Sequence, residues 1–246
     1  MAFFNRSSNS RYFNWLIHHR YISDLEKHTE HIKGRMLDVG CGKKPYYNIL
    51  SKQCEQYIGI EYVDSLHSLT QVDVIGDALT LPFKDTCFDS AVSFQVMEHV
   101  RDPLKFLSEI YRVLKPNSYL LLMTPFIWGE HEAPNDFFRY TRYGLTHLAQ
   151  QTGFETLSVT AHTRYCETAT LRFNYWIKRY GIGPLEYFFV PFLWINQFLA
   201  IVIDNIDTFF ARHAGHNAYT VDTAGFTTLL HKPLQEFNNS SKTDYD

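Results

Sequence analysis

The sequence predicts an α/β protein in which helices cover both faces of a doubly wound, mostly parallel sheet. Between residues 34 and 163, short apolar segments alternate with helical patterns, and this alternation is typical of parallel sheets. One apolar segment, Met36–Val39, leads directly into Gly40 and Gly42, which is the pattern of a buried strand followed by a tight turn. A second apolar segment ends in an acidic residue, Glu61. These three observations together favour a nucleotide-binding type of sheet.

The individual elements follow from the length and period of the apolar segments. Helices are predicted at Tyr46–Cys54 and at Pro103–Leu114, whose apolar residues recur every three or four positions. The predicted strands of the central region are Met36–Val39, Tyr57–Glu61, Val72–Ile75, Phe88–Phe94 and Tyr119–Thr124. Ligands of such sheets bind at the carboxyl ends of the strands, near the point where strand order reverses. We therefore look for functional residues at those ends.

The turn after the first strand is the first candidate binding site. Glycine at positions 40 and 42 lets a ligand approach the backbone closely. Glu61 lies at the end of the next strand, where an acid can bind ribose hydroxyls. A cofactor that contains a nucleoside is therefore expected. A dinucleotide matches less well, because Pro45 stands where the dinucleotide pattern has its third glycine.

Composition excludes several classes of function. The 23 basic and 26 acidic residues nearly balance, so no overall field attracts nucleic acid, and no nucleic-acid partner is expected. The four cysteines form no CxxC pair and no histidine–cysteine metal pattern. We therefore expect no metal, and reduced thiols in a cytoplasmic environment. The first residues have no apolar segment with a small-residue cleavage site, so no secretory signal is predicted.

Several motifs together resemble a known family. In chain order they are Leu37–Gly42, Glu61, Asp77–Phe83, Phe88–Asp89, Glu98–Pro103 and Arg112–Pro116. Their combination is similar to that of class I S-adenosylmethionine-dependent methyltransferases, in particular the small-molecule enzymes of quinone, sterol and glycan pathways. The resemblance covers residues 34–160. It implies a Rossmann-like methyltransferase fold of seven strands with an antiparallel last strand, and S-adenosyl-L-methionine as cofactor.

The resemblance assigns the methionine part of the cofactor to residues at the first turn. Asp38, Gly40 and Gly42 would cradle it. The chain departs from the family pattern just afterwards, because many members carry a third glycine where this chain has Lys44. A lysine there is expected to change the turn and to bring a charge near the carboxylate of the cofactor.

The resemblance assigns the rest of the cofactor to the ends of the next strands. Glu61 would hold the ribose, Asp77 and Ala78 the adenine, and Gln95 would lie beneath the sulfonium. Asp77 could accept a hydrogen bond from the adenine amine, and Ala78 leaves room for a flat base. The alternative for Asp77 is an ordinary solvated turn residue.

A segment rich in aromatic and charged residues follows the fifth strand and is the candidate substrate loop, 126–141. It resembles a His-x-x-Pro-x-Asp-aromatic-x-Arg-aromatic-Thr stretch of methyltransferases from polysaccharide and lipid-linked glycan clusters. The candidate catalytic residues are His131, Asp136 and Arg139. The unperturbed pKa of a histidine side chain makes His131 suitable as a general base. Asp136 could orient His131 or act as the base itself. Arg139 could hold a phosphate or carboxylate of the substrate. A purely structural Asp136–Arg139 pair is the alternative, and His99 is a lesser candidate.

The chain divides into five predicted segments. An N-terminal helical cap, 1–33, precedes the cofactor-binding core, 34–163. A hydrophobic helical insertion, 164–223, separates the core from its closing strand, 224–233, and the polar tail, 234–246, is expected to be disordered. The cap is expected either to pack on the edge of the domain or to cover the cofactor cleft.

The insertion carries an amphipathic pattern. Residues 187–203 contain no charge, but this stretch is only at the lower limit for a membrane span, and Pro191 interrupts it. A helical wheel places one group of large apolar residues on one broad face: Trp194, Ile195, Phe198, Leu199, Val202, Ile206 and Phe209. We expect this face to cover the protein as a lid or to form a dimer contact. Peripheral binding to a membrane surface is the alternative, disfavoured by the aspartates of the opposite face.

These inferences predict a methyltransferase that acts on a small molecule. The preferred acceptor is a hydroxyl group of a glycan or lipid-linked sugar, and a quinone-like or other lipophilic acceptor is the alternative. A cofactor-binding scaffold without catalysis is the alternative from another class of protein. The oligomeric state stays open.

Overall fold

The computed structural model describes residues 14–179, 186–213 and 222–234 of the 246-residue chain. Its helices are α1 (Trp15–Lys27), α2 (Tyr47–Leu50), α3 (Pro103–Val113), α4 (Arg142–Gln151), α5 (Tyr165–Arg179) and α6 (Glu186–His213). Its strands are β1 (Arg35–Val39), β2 (Gln56–Glu61), β3 (Val74–Ile75), β4 (Phe88–Phe94), β5 (Leu114–Pro125), β6 (Glu155–Ala161) and β7 (Gly225–Lys232). Residues 1–13 of the predicted cap and the predicted tail from residue 235 onward lie outside these ranges.

These strands form one sheet of seven within the described ranges, in the order β3-β2-β1-β4-β5-β7-β6. The strands from β1 to β5 pair in parallel, whereas β7 runs antiparallel to both β5 and β6. The order reverses between β1 and β4, which is the switch point where ligands of such sheets bind. The predicted fold, with its antiparallel last strand, is confirmed.

Most element boundaries agree with the predictions to within one residue, and three differ by more. The strand predicted at Val72–Ile75 is shortened to Val74–Ile75. The helix predicted at Tyr46–Cys54 shortens to Tyr47–Leu50, because the chain must turn back so that Glu55 N–H can bond the Gly34 carbonyl before β2 begins. Strand β5 starts at Leu114, directly where α3 ends, instead of at Tyr119.

Helix α3 shows how local sequence sets an element that supports the site. The Asp102 carboxylate accepts a hydrogen bond from Lys105 N–H at 2.9 Å, and Pro103 occupies the first helical position. Phe106 and Ile110 are fully buried on its inner face. Helix α3 is therefore held against the sheet below the strand ends of β4 and β5.

The core lies on both faces of the sheet, because successive strand residues point to opposite sides. Leu37 belongs to the cluster that includes Phe106, whereas its neighbour Met36 packs with Leu25 of α1 on the other face. The N-terminal helix is thus packed against one face of the sheet through Leu25.

Helix α6 meets the protein with a partly polar face. Its inward positions recur at helical spacing and are buried: Leu193, Gln197, Ala200 and Asp204. The Gln197 Oε1 atom accepts from the backbone N–H of Leu16 at 3.1 Å. The Asp204 carboxylate accepts from the N–H groups of Cys166 and Glu167, at 3.0 and 2.8 Å, and so caps the start of α5 from another helix.

The opposite face of α6 points outward and forms what we call the apolar stripe. Its members are exposed by about half or more of their surface: Phe192, Ile195, Phe198, Leu199, Ile203, Ile206, Phe209 and Phe210. The stripe is about 27 Å long, from the rise of 1.5 Å per residue. The expectation that this face covers the protein is therefore wrong for its main residues. Gln197 and Asp204 have partners inside, and those hydrogen bonds set the rotation of the helix. No helix in the described ranges has the length and mean hydropathy of a membrane span.

We expect Asp204→Ala to lower the free energy of unfolding by about 1–3 kcal/mol, because two N–H groups at the start of α5 would lose their acceptor. Urea denaturation measures this cost. Asp207→Ala, three residues later on the exposed side of the same helix, is the matched control and should cost less than about 0.5 kcal/mol. Equal costs for the two variants would contradict the capping role of Asp204.

Candidate cofactor and substrate site

The turn after β1 requires residues that tolerate a left-handed backbone. Gly40 and Gly42 have φ angles of +74° and +49°. A Cβ atom on Gly40 would lie 2.3 Å from Cγ2 of Val96. Glycine is therefore needed at position 40 for the close approach of Val96 as well as for its φ angle, and a side chain there would disturb the turn itself.

Lys44 takes the place of the family's third glycine and keeps a glycine-like conformation, with φ of +50°. Its ammonium group lies 2.6 Å from the Asp73 carboxylate and over the ring of Tyr57. Asp73 also accepts from Gly59 N–H at 2.7 Å. The charge that the sequence placed near the cofactor is thus paired with an acid, and these contacts offset the strain of a non-glycine residue at positive φ.

Two buried acids lie on the first two strands beside this turn. The Glu61 carboxylate accepts from Gly42 N–H at 2.8 Å and from Tyr62 N–H at 2.9 Å. Asp38 accepts a hydrogen bond from the Tyr57 hydroxyl. Burial raises the pKa of Asp38 to about 7, although the Tyr57 hydrogen bond acts in the opposite direction. Backbone donors therefore hold Glu61 at the strand ends, as predicted.

The remaining predicted cofactor residues lie at the ends of β3 and β4. Asp77 is exposed, and its carboxylate accepts from Leu79 N–H at 2.8 Å, which fits the turn alternative as well as an adenine contact. Ala78 is partly buried beside it and packs against the core cluster. Gln95 has a φ of +57° and its backbone N–H bonds the Met123 carbonyl at 2.8 Å.

The side chain of Gln95 tests whether these residues suit a cofactor. Its amide nitrogen is buried and has no hydrogen-bond partner within the described ranges, and such an orphaned donor calls for an acceptor from a ligand. The Glu61 carboxylate uses only two of its about four lone-pair positions. Both residues can therefore hold a polar ligand at the switch point.

The substrate loop is held by one ion pair. Arg139 donates from both of its terminal nitrogens to Asp136, at 2.6 and 2.7 Å, and also bonds the carbonyls of Trp128 and Gly129. Asp136 in turn accepts from the backbone N–H of His131 at 2.8 Å. Burial alone would raise the pKa of Asp136, but the Arg139 and His131 hydrogen bonds lower it to about 2. These contacts favour the structural alternative for the Asp136–Arg139 pair.

The imidazole of His131 has a defined orientation. Its Nδ1 atom lies 3.2 Å from the Gly129 carbonyl and 3.3 Å from the Asp136 carboxylate. Both neighbours are acceptors, so Nδ1 carries the proton and Nε2 keeps its lone pair. Burial lowers the pKa of His131, which favours this neutral form.

Four further residues lie in the neighbourhood of His131, and the sequence analysis named only one of them, His99, as a lesser candidate. The ring of His99 lies edge-on to that of His131, with centroids 4.8 Å apart. The Glu132 carboxylate lies 3.7 Å from His99 and 3.6 Å from His67, which reaches over from the segment after β2. Glu98 is fully buried, neither of its carboxylate oxygens has a hydrogen-bond partner in the described part of the chain, and burial raises its pKa to about 8.

Comparisons with known proteins fit this geometry. Residues 37–122 match a family model described as a methyltransferase domain. A "Probable S-adenosylmethionine-dependent methyltransferase" of Mycolicibacterium smegmatis is 31% identical over 156 residues, which cover 57% of this chain and 59% of that protein. The norajmaline N-methyltransferase of Rauvolfia serpentina is 34% identical over 105 residues, covering 36% of this chain and 35% of that protein. These matches support a class I methyltransferase domain that includes residues 37–122.

Solved structures support the same fold. The cyclase SpnF has a TM-score of 0.56 and 19% identity, and the match covers 87% of this chain and 81% of that one. A phosphoethanolamine N-methyltransferase of Haemonchus contortus has a TM-score of 0.53 and 15% identity, covering 94% of this chain and 59% of that one. The aligned regions span about a third to three fifths of the curated relatives. The cofactor of the methyltransferase domain is S-adenosyl-L-methionine.

The structure brings the predicted residues of this domain into two groups. The cofactor group lies around the turn after β1 and includes Asp38 and Glu61. The second group, around His131, joins the loop after β5 to the short 3-10 helix Met97–His99, because Phe137 N–H bonds the Glu98 carbonyl at 2.9 Å. The sequence signals for Glu98 were its place just after the carboxyl end of β4 and its membership of the Glu98–Pro103 motif.

We expect Glu61→Ala to weaken S-adenosyl-L-methionine binding by about 1–3 kcal/mol, the cost of removing a buried charged hydrogen-bond partner. Calorimetry of the purified protein measures this as a roughly 5- to 150-fold rise in Kd. Glu55→Ala, at the other end of the same strand and exposed, is the control and should leave Kd unchanged. A Kd within twofold of wild type for Glu61→Ala would show that the ribose contact is made elsewhere.

Proposed function

We propose that the protein transfers a methyl group from S-adenosyl-L-methionine to a hydroxyl of a small-molecule acceptor, preferably on a glycan or lipid-linked sugar. The observation that carries the proposal is the tautomer of the His131 imidazole. Its Nδ1–H is fixed by the Gly129 carbonyl and by Asp136, so that Nε2 keeps a lone pair for a proton. A neutral acceptor hydroxyl needs such a group when it is methylated.

The chemistry divides between the cofactor and the chain. When bound, the cofactor would supply an electrophilic methyl group on its sulfonium. The acceptor oxygen would take this methyl group, and S-adenosylhomocysteine would be the other product. His131 Nε2 accepts the proton of that oxygen. Asp136 and Arg139 act as positioning residues, because their contacts hold the loop and the tautomer of His131. Arg139 bonds Asp136 and backbone carbonyls, so we do not assign it to a substrate phosphate.

A sugar acceptor is supported by the exposed part of the loop. The rings of Phe137 and Phe138 are more than a third exposed, and Arg101 lies 5.5 Å above the Phe137 ring. Aromatic rings beside polar groups suit a ligand that has both apolar and polar faces. The resemblance of this loop to those of glycan-cluster methyltransferases points the same way.

Two alternatives have observations of their own. A quinone-like or other lipophilic acceptor is favoured by the apolar stripe, and the name of one relative, a phthiotriol/phenolphthiotriol dimycocerosates methyltransferase of Mycobacterium ulcerans, refers to a lipid. A cofactor-binding protein without methyl transfer is favoured by the likeness to a cyclase. One fold supports many reactions, so turnover has to decide.

A lipid-linked acceptor would bring the protein to a membrane, and the apolar stripe supplies the surface for it. Asp204 had counted against such binding, yet its carboxylate is turned inward to the N–H groups of α5. The helix presents no charged side chain between Phe192 and Ile203, whereas Asp207 is exposed farther along it. Large aromatic and aliphatic side chains on one face of a helix are typical of elements that lie in the membrane interface.

We expect His131→Ala to lower turnover by about 10²–10⁴-fold, the usual loss when a general base is removed. The assay is the formation of S-adenosylhomocysteine with sugar and lipid-linked acceptors. Cofactor affinity should stay within a few fold, because His131 lies in the acceptor loop. His147→Ala, an exposed histidine on α4, is the control. Near-normal turnover of His131→Ala would place the proton acceptor elsewhere.

We expect the purified wild-type protein to float with anionic lipid vesicles and Phe198→Asp to float much less, since Phe198 is 65% exposed at the centre of the stripe. Each large apolar side chain buried in lipid contributes about 1.5–3 kcal/mol. Gln150→Asp, an exposed change on α4, controls for the added charge. A wild-type protein that stays at the bottom of the gradient as a dimer would assign the stripe to a second copy of the chain.

A further inference from the structure

Three residues beside the acceptor loop have the arrangement of a metal site. Glu98, His99 and His131 each offer one ligand atom, and these atoms lie within 4.8 Å of one another. No sequence pattern indicates this cluster, because its members come from positions 98, 99 and 131 and form no ligand-spacing motif. They meet because the loop after β5 folds back onto the 3-10 helix that follows β4.

The buried carboxylate is an independent sign of a missing partner. Glu98 is fully buried, and both of its oxygens lack a hydrogen-bond partner among the residues described. A carboxylate in that position is costly unless a cation or a donor meets it. Arg139, the arginine of this loop, donates its hydrogen bonds to Asp136 and to backbone carbonyls. The carboxylate of Glu98 therefore faces the two histidines without a donor of its own.

Both histidines are set up as ligands through their second ring nitrogen. The Nδ1 atom of His99 lies 2.6 Å from the Asn135 carbonyl, and that of His131 lies 3.2 Å from the Gly129 carbonyl. Carbonyls only accept, so each Nδ1 carries the proton and each Nε2 has the lone pair. Metal-binding histidines usually donate their other N–H to a carbonyl or carboxylate in this way.

We propose that Glu98, His99 and His131 bind one divalent transition-metal ion, with Zn²⁺ as the type example. Two imidazoles and one carboxylate form a donor set that zinc accepts, and nitrogen ligands select such ions over Mg²⁺ or Ca²⁺. Bonds of about 2.1 Å place tetrahedral ligand atoms about 3.4 Å apart, so the side chains close by about 1 Å around the ion. Glu132, 3.7 Å from His99 Nε2, can supply the fourth ligand.

The effect of the metal ion on activity rests on the proposed function, in which His131 accepts a proton from the acceptor hydroxyl. A metal ion on Nε2 of His131 occupies the lone pair that accepts the proton, so the loaded protein does not methylate a hydroxyl. The site is thus inhibitory, and Zn²⁺ and the acceptor compete for the same imidazole.

The test uses the full chain, freed of metal with EDTA and then desalted. Titration with Co²⁺, followed by its visible absorption, and with Zn²⁺, followed by calorimetry, should show one ion per chain. His99→Ala and Glu98→Gln should each weaken binding by about 100-fold or more, since even an outer partner of a metal ligand is worth about 10–100-fold. The control His147→Ala should bind like wild type. Cofactor binding and circular dichroism identify any variant that fails to fold, and His99→Gln then replaces it.

Each outcome decides between the two proposals. Wild-type protein that binds neither ion, or variants that bind as tightly as wild type, would overturn the metal site and leave His131 as proton acceptor. Site-specific binding accompanied by loss of turnover supports both proposals. Site-specific binding that raises turnover supports the metal site and overturns the role of His131 as proton acceptor.

Discussion

The need of buried polar groups for hydrogen-bond partners decides which surfaces of this protein meet. It is clearest in α6, where Gln197 and Asp204 turn inward to the backbone of α1 and α5 although the other face of the helix is far more apolar. Turning the helix the other way would leave the N–H groups of Cys166 and Glu167 without their acceptor, at a cost of about 1–3 kcal/mol for each. The same hydrogen bonds that fix the helix therefore create the exposed apolar stripe.

The same constraint organises the acceptor loop. Asp136 is almost completely buried and its two oxygens receive three hydrogen bonds, from Arg139 and from His131 N–H. The loop contains no helix or strand between β5 and α4. The hydrogen bonds between Asp136 and Arg139 therefore hold its conformation in place of regular secondary structure. It holds the imidazole of His131 with its free nitrogen turned away from the carbonyl that binds Nδ1. A loop that is rigid at this point can present one side chain in one tautomer, which is what proton transfer and metal binding both require.

Glu98 differs from Asp136, because both oxygens of its carboxylate lack a hydrogen-bond partner among the described residues. Functional sites are the usual place for such unpaired groups. The cofactor side of the cleft has its own example in Gln95, whose amide nitrogen is also unpaired. The two orphans lie on consecutive turns after β4, one suited to the cofactor and the other to the group of histidines. The predicted cofactor residues and the predicted acceptor residues thus meet at the end of this strand.

The sequence alone is enough to predict the sheet and the meeting of Glu61 with the turn after β1. Strand and helix periods are local properties, and the acid of Glu61 must reach Gly42 once β1 and β2 are parallel neighbours, because their carboxyl ends share one edge. Tertiary structure alone decided the rotation of α6, since a helical wheel shows an apolar face but not which groups across the interface need an acceptor. It also decided the meeting of Glu98 and His99 with His131, which depends on how one loop folds back. Contacts between residues that are distant in sequence produce no periodic pattern of apolar residues, so only the folded structure shows them.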